Sequence, residues 1–264
     1  MHVAITGCAS GIGAAVVERL RARGDRITAF DRTVPDGVDR FVPVDLADPA
    51  SIDAAARAVA HERFDALVNN AGVPPQPGVG PPGNGETVLR VNYLGLRRFT
   101  RAMLDRLEGG AAIVHTASRA GARWRDNLDQ VRALMTLADD GDVAAFMADR
   151  RIDHVRAYNL SKEAVIAQTI ADTPALHARG LRANTVSPAA ISTGILDDFM
   201  SAFGPQVAAN VARVGRPGEV GEVAELIVFL ADPRSGWLRG QDIVIDGGMS
   251  ALIGADELAL PSSL

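Results

Sequence analysis

"HVAITGCASGIG" (His2–Gly13) is the stretch that decides the fold. Its first five residues form an apolar, β-branched run of the kind found in strands covered on both faces. Gly7, Gly11 and Gly13 follow in the spacing G-x3-G-x-G, and a helical pattern then runs over about 12–23. Glycines allow a tight turn and let the backbone approach a pyrophosphate, whose charge meets the free N–H groups of a helix N-terminus. The turn, with Gly7, Ser10, Gly11, Ile12 and Gly13, is therefore the expected pyrophosphate side of a dinucleotide site.

Working outward, the next strand, "RITAFD" (26–31), ends in Asp31, 18 residues (31 − 13) beyond the last glycine. That separation suits a carboxylate that accepts hydrogen bonds from the adenosine ribose. A carboxylate there repels a 2′-phosphate, so NAD is the expected cofactor. Arg32 can pair with such a phosphate and keeps NADP as second choice.

Further strands are expected at "RFVPVDL" (40–46), "DALVNN" (65–70), "AAIVHTAS" (111–118), "LRANTVS" (181–187) and "QDIVID" (241–246). Helical patterns lie near 50–61, 85–107, 158–172 and 219–231. Strand alternating with helix implies parallel βαβ units, hence an α/β fold: a single-domain Rossmann-type doubly wound parallel sheet spanning 1–264. "VPPQPGVGPPGNG" (73–85) reads as an extended loop. The stretch of about 122–155 has its own helical periodicity, with Leu128, Val131, Leu134 and Met135 on one face and Val143, Phe146 and Met147 on another. It predicts a helical insertion. Thr173 and Pro174 predict a kink or restart, because proline removes a helical donor and favours a first turn.

The 264 residues carry 47% apolar side chains and a formal charge of −5, which argues against nucleic acid or an anionic membrane as partner. The single cysteine, Cys8, excludes an intrachain disulfide and fits a reducing compartment. "HVAIT" carries no secretory signal pattern, and no apolar run is long enough to span a bilayer, so a cytoplasmic location is expected. No metal site is expected.

Lys162 is the one lysine among 27 Lys and Arg residues, and it stands four residues after Tyr158, one of two tyrosines. Positions i and i+4 share a helix face. An ammonium beside a phenol favours phenolate, which predicts Tyr158 as a proton acceptor for an alcohol, or donor to an alkoxide. Lysine's three donors can also hold ribose hydroxyls.

Taken in order, "TGCASGIG", Asp31, "VDL" (44–46), "NNAG" (69–72), "VNYLG" (91–95), "TAS" (116–118), "YNLSK" (158–162), "RANTVSP" (182–188) and "DGG" (246–248) resemble the short-chain dehydrogenase/reductase family. The helical insertion narrows the resemblance to the subgroup of bacterial 3α-hydroxysteroid dehydrogenase/carbonyl reductases. The resemblance implies that Ser118 hydrogen-bonds the substrate oxygen and that Asn92 binds a water linked to Lys162. It implies adenine contacts from Asp45 and Leu46, and adenosine contacts from Asn70, Ala71 and Gly72, with Asn69 either flanking the adenosine or bracing strands. Pro188, Ile191 and Thr193 would meet the nicotinamide. Ala189 stands where the family usually has glycine. In relatives, the helices carrying Asn92 and Tyr158 form subunit contacts, so a homodimer or homotetramer is implied. An insertion there would obstruct that mode and could supply another interface.

The reaction so implied interconverts a secondary alcohol and a ketone. Ile195, Leu196, Phe199, Met200 and Phe203 could form an apolar lid, with Trp124 as a wall, favouring an alicyclic steroid- or terpenoid-like substrate. Three other readings stand beside it: a non-catalytic dinucleotide-sensing regulator, an NADP-dependent biosynthetic ketoreductase, and a nucleotide-sugar epimerase or dehydratase. The intact Ser118, Tyr158 and Lys162 set disfavours the regulator, and the chain's length disfavours the epimerase.

Overall fold

A computed structural model describes residues 1–78, 83–194, 196–259 and 261. Seven parallel strands form one sheet in the order β3-β2-β1-β4-β5-β6-β7. They are β1 (His2–Thr6), β2 (Arg26–Asp31), β3 (Arg40–Pro43), β4 (Phe64–Asn69), β5 (Leu107–Thr116), β6 (Arg182–Pro188) and β7 (Asp242–Ile245). The order reverses between β1 and β4, and a crevice forms at the carboxyl ends of the strands there.

Helices cover both faces. α1 (Gly11–Ala22) and α10 (Val220–Ala231) pack on one; α2 (Pro49–Ala58) and α4 (Leu96–Met103) pack on the other, and α3 (Gly85–Leu89) precedes α4. Strand alternation explains the apolar runs. Val3 and Ile5 of β1 enter the core under α1 and α10, whereas Ala4 between them faces the core under α2 and α4.

The expected helix over 85–107 is interrupted. A π-helical turn, Arg90–Gly95, separates α3 from α4, a 3-10 turn closes at Arg106, and β5 begins at Leu107. Gly95 lies against the end of the β3 connection, where a Cβ would sit 2.0 Å from the Leu46 carbonyl oxygen. Pro174 does not restart the helix. α7 (His154–Ala178) runs through it without a break, and Thr173 donates its hydroxyl to the Thr169 carbonyl instead of capping a new turn. The donor lost at Pro174 would have met Ile170, which lies on the exposed side, where water can satisfy the freed carbonyl.

The insertion forms α5 (Leu128–Thr136) and α6 (Val143–Asp149). Val131, Leu134, Val143, Phe146 and Met147 share a core with Val88, Leu89, Tyr93 and Leu94 and with the buried face of α7. The pair thus packs on its own subunit, over the segments that carry Asn92 and Tyr158. Arg97, buried under the Asp139 loop, pairs with Asp139 and donates to the carbonyls of Met135 (2.7 Å) and Leu137 (2.6 Å). Buried Glu163 accepts from Arg156 (2.6 Å) and from Asn127 (2.7 Å).

After β6 come α8 (Leu196–Phe203) and α9 (Pro205–Val214), and after β7 comes α11 (Met249–Glu257). Among the described residues, no helix is long and apolar enough to cross a membrane.

Candidate active site

A cleft of about 1180 Å³ runs along the carboxyl ends of the strands, from Asp31 and Arg32 at one end to α8 and α9 at the other. Its volume exceeds the usual range for one small ligand and suits a dinucleotide beside a substrate.

The dinucleotide end is shaped by glycine. Gly7 and Gly11 adopt φ of 65° and 54°, which L side chains rarely adopt. Gly13 does not line the cleft, contrary to expectation. Its Cβ would lie 2.0 Å from the Gly7 carbonyl oxygen, so it serves the close packing of helix on turn. Ser10 leaves the first turn of α1 without a side-chain cap, and no acidic residue lies in that turn. A helix N-terminus so arranged fits a pyrophosphate. Asp31 accepts from the N–H groups of Ala9 (3.0 Å), Arg32 (2.7 Å) and Thr33 (3.2 Å), which fixes its carboxylate at the cleft mouth. Asp45, Leu46, Asn70, Ala71 and Gly72 continue the wall. Together these features fit NAD or NADP.

Asn69 does not reach the cleft. It braces Thr100 (2.9 Å) and His115 (3.1 Å) behind the sheet, where burial holds the His115 imidazole down at about 4. Asn70 bridges β1 to β5, donating to the Gly7 carbonyl at 2.7 Å and accepting from Thr116 at 3.1 Å. The sequence reading missed Thr6, whose hydroxyl accepts from the N–H groups of Asn70 (3.1 Å) and Ala71 (3.2 Å). Its place directly before the glycine turn was the available signal.

In the middle of the cleft, α7 sets Tyr158 and Lys162 on one face. The ammonium lies 5.7 Å from the ring centroid and donates to the Thr116 carbonyl at 2.9 Å. Ser118 follows β5 in extended conformation, and its hydroxyl is near enough to act on the phenol. Asn92 falls in the π-helical turn, where its amide accepts from Val73 N–H (2.8 Å) and donates to Val73 C=O (3.0 Å). It does not line the cleft but stands beside Lys162. A Cβ on Gly72 would lie 3.3 Å from Asn92 Oδ1 and 3.6 Å from Lys162 Nζ.

The electrostatics differ from expectation. Burial pushes the Tyr158 phenol up to about 12, with the Ser118 hydroxyl pulling the other way. Burial also brings the Lys162 ammonium down to about 8. One of the three Lys162 donors is taken by Thr116, and the rings of Phe199 and Phe203 lie over the phenol with centroids 5.2 and 6.1 Å away. Desolvation therefore outweighs the cation, and Tyr158 holds its proton.

Pro188, Ile191 and Thr193 line the cleft beyond β6. Ala189 keeps a negative φ, so the turn does not require glycine there. Of the expected lid, Phe199 and Phe203 face the cleft and stack on each other, whereas Leu196 and Met200 do not line it. Ile195 lies outside the described residues. Trp124 packs toward the insertion core under the Arg125 guanidinium and forms no wall. Among the described residues no cluster of His, Cys, Asp or Glu could hold a metal ion.

Two family models match the chain: short chain dehydrogenase over residues 1–128, and enoyl-(acyl carrier protein) reductase over 142–250. A coniferyl-alcohol dehydrogenase of Pseudomonas sp. is 33% identical, covering 94% of this chain and 96% of that protein. The 3-alpha-hydroxysteroid dehydrogenase/carbonyl reductase of Comamonas testosteroni is 30% identical, covering 95% and 97%. The crystal structure of a 3-alpha-hydroxysteroid dehydrogenase from Pseudomonas sp. B-0831, complexed with NADH, superposes with a TM-score of 0.79 at 31% identity, covering 97% and 99%.

Proposed function

The chain belongs to the short-chain dehydrogenase/reductase family of oxidoreductases, and we propose that it interconverts a ring-bearing apolar alcohol and its carbonyl compound with NAD. The observation that carries this reading is the meeting of Ser118, Tyr158 and Lys162 in one cleft with the glycine turn and Asp31.

The nicotinamide, when bound, exchanges a hydride with the substrate carbon. The Tyr158 O–H gives its proton to the developing alkoxide in reduction and regains it in oxidation. Ser118 donates a hydrogen bond to the same substrate oxygen and is already oriented by accepting from Ala120 N–H at 3.1 Å. Lys162 holds ribose hydroxyls and, through Thr116, ties α7 to β5. Asn92 fixes the Val73 backbone, and its oxygen keeps a second lone pair for a water beside Lys162.

Asp31 supports NAD over NADP, because a 2′-phosphate would meet its fixed carboxylate. Phe199, Phe203, Val207, Val211 and Met249 support an apolar substrate body, and relatives named for a steroid and for coniferyl alcohol agree with a ring. We place the enzyme in the reducing cytoplasm as a homodimer or homotetramer.

A panel of alicyclic and aromatic alcohols and ketones, run with both dinucleotides and followed by nicotinamide absorbance, tests the reading. Turnover with NAD should exceed that with NADP by about tenfold or more, a difference of about 1.4 kcal/mol. Tyr158→Phe should keep dinucleotide affinity and lose about 10³-fold in kcat. Dinucleotide binding with no redox change across the panel would establish the regulator instead.

A further inference from the structure

Four cationic side chains line the cleft: Arg32, Arg119, Lys162 and Arg216. Lys162 is engaged by Thr116, and Arg32 stands at the exposed mouth beside Asp31. Arg216 is gripped at both ends by Glu222, with hydrogen bonds of 2.9 and 2.7 Å. Among the polar side chains, Gln206 donates to Asn210 at 3.0 Å, so that pair satisfies itself.

Arg119 is different. Its one charged neighbour among the described residues is Asp246, 3.6 Å from Nε, beyond hydrogen-bond range. Asp246 is already held by other donors: it accepts from Gly248 N–H (3.0 Å), Ser250 N–H (2.8 Å) and the Ser250 hydroxyl. The guanidinium therefore keeps its planar fork of donors without a hydrogen-bond acceptor among the described residues, although its side chain is only 28% exposed. No Arg119 nitrogen is among the buried atoms left without a partner, so water reaches the fork in the open cleft, and a ligand that displaces this water must supply acceptors of its own.

Its position narrows the ligand. Ser118 is extended, so adjoining side chains diverge: Ser118 turns to the phenol and Arg119 reaches the β7 end. An acceptor held by Arg119 thus lies on the substrate body, away from the reacting carbon. Charge narrows it further. The Arg119–Asp246 pair is close to neutral as a unit, and a carboxylate or phosphate placed there would meet the Asp246 charge. A neutral oxygen pair would not, and a planar fork addresses two neighbouring oxygens at once.

We propose that Arg119 is a specificity residue that recognises two adjacent uncharged oxygens, such as a hydroxyl beside an ether, on the far side of a ring-bearing alcohol substrate. The inference deepens the alcohol dehydrogenase reading and rests on it. It implies that the reaction supplying this substrate, or consuming its product, leaves the ring oxygens in place.

The test compares coniferyl alcohol, whose ring carries adjacent hydroxyl and methoxy groups, with cinnamyl alcohol, which lacks both. Steady-state kinetics are measured on wild type, Arg119→Met and Arg119→Lys, with calorimetric binding of both alcohols to the NAD-loaded proteins alongside. Wild type should prefer coniferyl alcohol by about tenfold or more in kcat/KM. Arg119→Met should collapse that ratio toward one, chiefly through KM, and Arg119→Lys should restore part of it. The KM for NAD should stay within about twofold. Equal losses for both alcohols, a rise in the NAD KM instead, or no preference in wild-type binding would each overturn the proposal. Selective binding without turnover would leave Arg119 its role and refute the dehydrogenase reading instead.

Discussion

The two ends of the cleft follow opposite rules. At the dinucleotide end, two of the three glycines of the turn stand where no side chain fits: a Cβ on Gly7 would lie 2.4 Å from the Ala71 Cα, and one on Gly13 would lie 2.0 Å from the Gly7 oxygen. At the lid end, a Cβ on Gly194, Gly204 or Gly215 would meet nothing within 4 Å. Gly204 and Gly215 are there for direction, with φ of 69° and 99° at the two ends of α9. Contact is added to chain direction at the first end, whereas chain direction alone accounts for Gly204 and Gly215 at the second. A ligand shared across a family can be met by the first kind of surface. A substrate that varies from relative to relative needs positions such as Gly194, where neither a contact nor a positive φ stands in the way of a side chain.

The largest effect that would break this comparison is at Gly13. Gly13→Ala should abolish dinucleotide binding and lower stability severely, read by fluorescence titration and thermal unfolding, whereas Gly194→Ala should leave both within experimental scatter. A Gly13→Ala protein that binds NAD like wild type would remove the steric argument.

Lys162, between the ends, gives a medium effect. Its folded pKa is lowered from 10.5 to about 8. Between those values the unfolded chain holds the extra proton, so this group makes stability rise with pH and costs stability below about 8. Lys162→Met removes that cost and one hydrogen bond. It should be more stable than wild type by about 2 kcal/mol near neutrality, with the advantage gone above about pH 10. Parallel unfolding midpoints across that range would refute the buried-cation account.

The smallest effect sharpens the lid end. Phe199→Ala should let water reach the phenol and move its pKa down from about 12 toward its ordinary value. The rising limb of the pH profile for alcohol oxidation, along which the phenol loses its proton, should then shift to lower pH by about one unit. An unmoved limb would mean that Phe199 does not desolvate Tyr158.

Sequence alone made the sheet, the glycine turn and the tyrosine–lysine face legible, because each follows from local spacing. Periods of two and of 3.6 residues report burial directly, and Asp31 sits where a strand ends. What escaped was set by neighbours distant in the chain. No local pattern separates Gly13 as a packing residue from Gly11 as a cleft residue, since the difference is the Gly7 oxygen opposite. The pairing of Tyr158 and Lys162 was readable, but the dominance of desolvation was not, because it depends on rings forty residues away that close over the phenol (199 − 158 = 41). Pro174 misled because its cost depends on whether the freed carbonyl faces water.

The π-helical turn has a consequence for how this chain can change. A helix advances about 100° per residue, so the extra residue accommodated in Arg90–Gly95 sets the phase of everything after it. Phe99 and Met103, both fully buried against the sheet, owe their inward facing to that offset. Point substitutions around Asn92 leave the phase intact, but a one-residue deletion there would rotate an entire apolar stripe out to solvent. Evolution can edit the letters of this segment more readily than it can shorten it.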